Sequence, residues 1–96
     1  LTAALHNALV TLSDLGEKYY TDFSANFVLS NGTQLVASRF ASRSPLPTLY
    51  WLRDDNLFPN SVLLASEPFF EGNWHPFQER SVLTIDHDLS IETDRL

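Results

Sequence analysis

The chain contains neither cysteine nor methionine. Without cysteine, these 96 residues hold no disulfide, no zinc–thiolate site and no thiol nucleophile. Glycine is limited to Gly16, Gly32 and Gly72, which stand far apart, so no glycine-rich loop can cradle a phosphate. Lys18 is the one lysine, and Arg39, Arg43, Arg53, Arg80 and Arg95 are scattered. Against these 6 bases stand 12 acids, a net charge of −6. A nucleic-acid backbone requires clustered cations, so no nucleic-acid partner is expected. No apolar run approaches the roughly 18 residues of a membrane span, and no segment reads as a basic-then-apolar leader. A cytoplasmic chain with no membrane partner is expected.

What is present is 44% hydrophobic and 12% aromatic, enough for one folded domain with a modest core. Leu1, Leu5, Ala8, Leu9, Leu12 and Leu15 recur at three- and four-residue steps, the stripe of an amphipathic helix. Gly16 follows the last of them, where a helix cap commonly sits. The helical pattern is already under way at Leu1 and no initiator methionine precedes it, so the chain is expected to be a segment of a longer polypeptide or a processed product.

Asn31-Gly32 then separates two alternating runs, the strongest short hairpin signal. A two-residue type I′ turn pairs Ser30 with Thr33 and Leu29 with Gln34. It gathers Phe23, Ala25, Phe27, Leu29, Val36 and Phe40 on one core face. The opposite face is apolar near the turn and polar beyond it, as for a sheet backed by a helix and partly covered by a second sheet, or one open to solvent. Pro45 and Pro47 break the pattern. Further strands are predicted over residues 49–52, 61–66, 81–85 and 89–93. The run SVLLAS is apolar on both parities and is expected to be central and buried on both faces. The class is α+β, with about six antiparallel strands and one helix against a face.

Few constellations carry chemistry. Serine, histidine and aspartate are present without a nucleophile elbow, and their presence alone does not make a triad. Asp86-His87-Asp88 with His75 offers metal-type ligands, yet neighbours on a strand point to opposite faces, which favours a solvated turn. Asp54-Asp55 and Glu71 with Glu79 lack the apolar surroundings that prepare a carboxyl for acid–base work. Trp74-His75-Pro76, in an aromatic acidic loop, either plugs the end of a sheet sandwich or walls a pocket. Arg39, among small neighbours on its strand, is expected to pair with Glu67.

Taken in order, these pieces resemble the later half of a class-II glutamine amidotransferase domain. The shared pattern is Ala37 and Arg39 at the end of a strand, Pro45-Leu46, an apolar strand at 49–52, and Ala65-Ser66-Glu67 ending the next strand. The tail EGNWHPFQERSVLTI is similar to the branch holding ergothioneine-pathway γ-glutamyl hydrolases and the glutathione-degrading amidotransferase component. The resemblance implies a four-layer αββα Ntn-hydrolase sandwich. It also implies an N-terminal cysteine nucleophile with its own α-amine as base, acting on glutamine or a γ-glutamyl amide without a cofactor. It assigns no catalytic, cofactor-binding or metal-binding residue here, because the catalytic half precedes these residues in the family; that half is the implied partner. Arg39, Ser66 and Glu67 match as scaffold signatures and Trp74 as a candidate substrate wall. Two further readings stay open. One is a small β-rich interaction module using Phe69, Phe70, Trp74 and Phe77 as its surface; the other is a catalytically inactive regulatory relative.

Overall fold

The leucine spacing at the start of the chain produces α1, Thr2–Lys18, in a computed structural model that describes residues 1–43 and 45–96. Leu5 and Leu9 project from one side of α1 and are buried against Ala25, Val36 and Val82 of the sheet beneath. Thr2 ties the first turn to the sheet through a hydroxyl pair with Thr84 at 3.0 Å.

The helix does not stop at Gly16. It runs on to Lys18, and Tyr20 takes the left-handed conformation with φ 54°. The Tyr20 N–H donates to the Glu17 carbonyl at 3.3 Å and the Thr21 N–H to the Gly16 carbonyl at 2.8 Å. These are the two bonds of a Schellman closure, with tyrosine where glycine is usual. Gly16 serves the returning chain: a Cβ there would lie 2.7 Å from the Thr21 carbonyl oxygen.

β1 (Ser24–Ser30) and β2 (Leu35–Ala41) form the antiparallel hairpin, with Ser30 opposite Leu35 and Leu29 opposite Val36. The loop is residues 31–34 rather than the two-residue turn expected. Asn31 Oδ1 accepts the N–H groups of Thr33 (3.1 Å) and Gln34 (2.8 Å), and this side-chain turn outcompetes the tighter backbone turn. The register moves by two residues, so every side chain keeps its face. Burial follows the expectation only partway. Ala25 and Val36 are buried, whereas Phe27 and Leu29, nearer the turn, remain exposed.

β6 (Ser81–Ile85) pairs with β2, and β7 (Ile91–Arg95) pairs with β6, giving the order β1-β2-β6-β7. Between β2 and β6 the chain builds a second sheet from β3 (Tyr50–Arg53), β4 (Val62–Ala65) and the short β5 (His75–Pro76), in the order β4-β3-β5. Ala37, Leu83 and Ile85 face this second sheet and pack with Leu49, Phe77 and the half-buried Trp51, Val62 and Leu64. The result is a small α+β protein in three layers: helix, larger sheet, smaller sheet.

The strand buried on both faces is β6, not the SVLLAS run. β4 lies at an edge and is half-buried. Its second apolar parity has another cause: the loop after it folds back over the outer face of the small sheet. Leu52, on that outer face, is 1% exposed because Gly72 lies against it, with a Cβ there placed 3.0 Å from Leu52 Cδ1. The pairing of His75 with Trp51 adds a seventh strand to the six expected.

The helix terminus yields a direct test. Tyr20→Gly removes left-handed strain at a fully exposed position and is expected to stabilise the fold by about 1 kcal/mol in urea unfolding. Gly16→Ala, despite alanine's higher helix propensity, is expected to cost about 1–2 kcal/mol because its Cβ meets a backbone oxygen.

Candidate functional site

Most polar groups between the two sheets gather at one corner; apart from them, Arg53 Nη1 of β3 donates to the Leu89 carbonyl in the β6–β7 turn at 3.3 Å. Arg39, from β2, donates through Nε to the Pro47 carbonyl at 2.8 Å and through Nη1 to the Phe77 carbonyl at 2.7 Å. It therefore clasps the two segments that flank the small sheet, the one entering β3 and the one leaving β5. The expected pairing with Glu67 does not occur: Glu67 is exposed, and among the described residues the one ion pair is Arg43–Asp22 at 2.9 Å. The carbonyls win because they sit beside Arg39 in the inter-sheet space, whereas Glu67 has already left the strand.

Asn26 stands opposite Arg39 in the hairpin and extends the seam. Its Nδ2 donates to the Thr48 carbonyl at 3.0 Å, and Thr48 Oγ1 donates to the Ser66 carbonyl at 2.8 Å. Ser66 thus contributes backbone, not its hydroxyl, to the join. Asn26 Oδ1 is buried with no hydrogen-bond partner among the described residues. These contacts position backbone; they do not pair a nucleophile with a base.

Trp74 is half-buried, and its indole N–H donates to the Phe70 carbonyl at 3.1 Å. Its ring packs on Phe70 and Phe69, with centroids 5.2 and 5.6 Å away, and Phe58 meets Phe70 at 5.6 Å. This cluster lies over the outer face of the small sheet, a place different from the sandwich end that one sequence reading gave it to plug. The aromatic surface proposed for an interaction module is smaller than expected. Phe77 is 3% exposed and belongs to the inter-sheet core.

The cleft between the sheets is walled by different residues. Trp51 and His75, cross-strand partners, stack with centroids 4.3 Å apart and planes 21° apart. With Gln78, Thr93 and Arg95 they border a cleft of about 410 Å³ where the small sheet stops short of β7. Sequence reasoning passed over Trp51 because it sits inside an apolar strand, and over its partnership with His75 because a two-residue strand carries no periodicity.

The acidic candidates order loops. Asp54 Oδ1 accepts the Asn60 N–H at 2.8 Å and Asp55 Oδ2 the Leu57 N–H at 3.0 Å. Asp86 Oδ1 accepts Gln34 Nε2 at 3.1 Å, and Asp88 Oδ1 accepts the Ser90 N–H at 3.0 Å. Among the described residues no three metal-type ligands converge. The Ser90 hydroxyl and N–H together hold the Asp88 carboxyl below the ordinary carboxylate range.

Compared with protein-family models, curated proteins and solved structures, the chain finds no match.

Two outcomes follow from this geometry. Arg39→Met strands the Phe77 carbonyl away from water and is expected to cost about 2–3 kcal/mol in equilibrium unfolding, with Arg39→Lys recovering part of the loss. For Asp88, the depressed native pKa means that its stabilising contribution is complete above the ordinary carboxylate pKa and disappears as pH falls through the lower native value. An NMR titration is expected to show Asp88 titrating low, and Ser90→Ala to move it back upward.

Proposed function

We propose that these residues form the scaffold part of a class-II glutamine amidotransferase-type domain whose intact form hydrolyses the amide of glutamine or of a γ-glutamyl compound. The observation that carries this reading is the layer order. A helix, a sheet and a second sheet are stacked in that order, which supports reading them as three of the four layers of an αββα Ntn-hydrolase sandwich. The outer side of the small sheet leaves Leu57, Phe58 and Phe69 exposed, an apolar surface suited to a fourth, helical layer. Arg39, within β2, clasps the segments on either side of the second sheet, a reason for the A-x-R signature that is independent of catalysis.

In this reading the nucleophile belongs to the preceding half of the domain, an N-terminal cysteine activated by its own α-amine. The oxyanion that forms as the thiolate attacks the amide carbonyl is stabilised by backbone donors of that half. Asn31-Gly32 is not read as such a site: it forms the hairpin loop, where the Gly32 N–H already donates to Ser30 Oγ at 3.2 Å. The same exposed aromatics also favour a second reading, a binding module without chemistry.

The two separate on the native polypeptide. Its intact mass and first residue are measured before and after treatment with a glutamine-like electrophile. An N-terminal cysteine that takes up one adduct, with loss of γ-glutamyl amide hydrolysis, supports the amidotransferase. A native chain that starts at Leu1 and gains no adduct overturns it. The 96-residue chain alone is expected to remain unlabelled, since it has no cysteine.

A further inference from the structure

The two edges of the larger sheet differ in chemistry. β7, at one edge, carries Glu92, Asp94 and Arg95, the charges with which proteins discourage strand addition. β1, at the other, reads SANFVLS, with no charge, proline or glycine over 7 residues. Phe27, Val28 and Leu29 are 37%, 51% and 37% exposed in succession. A strand this apolar and this unguarded is built to be paired.

Its hydrogen-bond phase is fixed. The Ser42 N–H donates to the Phe23 carbonyl at 2.9 Å and the Asn31 N–H to the Gln34 carbonyl at 3.2 Å. In an antiparallel ladder the odd-numbered residues of β1 therefore exchange bonds with β2. Ser24, Asn26, Val28 and Ser30 turn their N–H and C=O groups outward.

We propose that β1 pairs antiparallel with β1 of a second copy about a two-fold axis at Phe27, joining the two four-stranded sheets edge to edge. The sequence is self-complementary in that register. Phe27 meets its own copy at a non-hydrogen-bonded position, where side chains approach closest. Asn26 and Val28 exchange the outward backbone bonds, and Ser24 meets Ser30. Ala25 lies opposite Leu29 of the second copy, so a small side chain faces a large one. Beside Ala25, on the helix side, Leu12, Leu15, Tyr19 and Phe23 line an apolar groove of about 270 Å³ that can receive that leucine. An isologous contact of this kind closes on itself and stops at two copies. The proposal does not rest on the amidotransferase reading.

The absence of cysteine makes the test clean. Phe27→Cys is expected to form a disulfide-linked dimer under mild oxidation about ten-fold faster than Leu57→Cys, an exposed control in the loop joining β3 and β4, because pairing raises the local thiol concentration. In sedimentation across a dilution series, the unaltered chain is expected to shift from dimer to monomer. Val28→Lys is expected to stay monomeric while a Thr93→Lys control on β7 still dimerises. A monomer throughout the series, or equal cross-linking at Phe27→Cys and Leu57→Cys, overturns the proposal. The cross-linking pair decides the matter even where Val28→Lys fails to fold.

Discussion

A guanidinium between two sheets determines how they meet. Apart from the Arg53 bond to the Leu89 carbonyl, the small sheet has few directional ties to the large one: its strands are short, β5 being only two residues, and its inner face contributes mostly half-buried side chains. Arg39 supplies what apolar contact lacks, direction. Two charge-assisted bonds to the Pro47 and Phe77 carbonyls fix where the chain enters β3 and where it leaves β5. Asn26, Thr48 and Ser66 continue the join toward β4. Burial of Leu83 and Ile85 drives the layers together, but burial alone is non-directional and would let them slide.

The central strand follows from that arrangement. β6 is covered by α1 through Val82 and Thr84 and by the small sheet through Leu83 and Ile85. Five consecutive buried residues include Ser81 and Thr84, whose hydroxyls bond to the Gln78 carbonyl and to Thr2. Polar side chains are tolerated in the deepest strand because each has a partner, as burial requires. They also make SVLTI look less like a core strand than SVLLAS does, although the reverse is true.

What could be read beforehand was therefore whatever rested on local periodicity. The leucine stripe identified α1 and, at Leu5 and Leu9, its buried face, although Leu1, Ala8 and Leu15 of the stripe are exposed, and Asn31-Gly32 located the hairpin with the correct facing of both strands. The α+β class followed from these. Properties that depend on distant chain were not legible. Nothing in LVASRF says that Arg39 chooses carbonyls of residues 47 and 77 over the carboxylate of Glu67. Nothing in LYWL marks Trp51 as the wall of a cleft, because its stacking partner arrives some twenty residues later, on a strand too short to show alternation. SVLLAS was misjudged for a related reason. Apolar residues on both parities report two covered faces, but not whether the cover is another sheet or a returning aromatic loop.

The scarcity of glycine links these local choices to stability. Tight connections need left-handed residues, and this chain fills such positions with Tyr20, Asp54, Asn60, Arg80 and Leu89, against Gly32 alone among its glycines. Asn and Asp tolerate the conformation; Tyr20, Arg80 and Leu89 bear a steric cost of about 1 kcal/mol each. Domains of this size hold only about 5–15 kcal/mol in total, so strain at three connections is a substantial fraction. A thin three-layer fold that spends stability in this way gains correspondingly more from any surface it covers. Its apolar surfaces still open to solvent are the exposed Leu57, Phe58 and Phe69 of the loops around the small sheet and the uncharged edge of the large one. Association there is where such a chain can recover the margin that its turns give up.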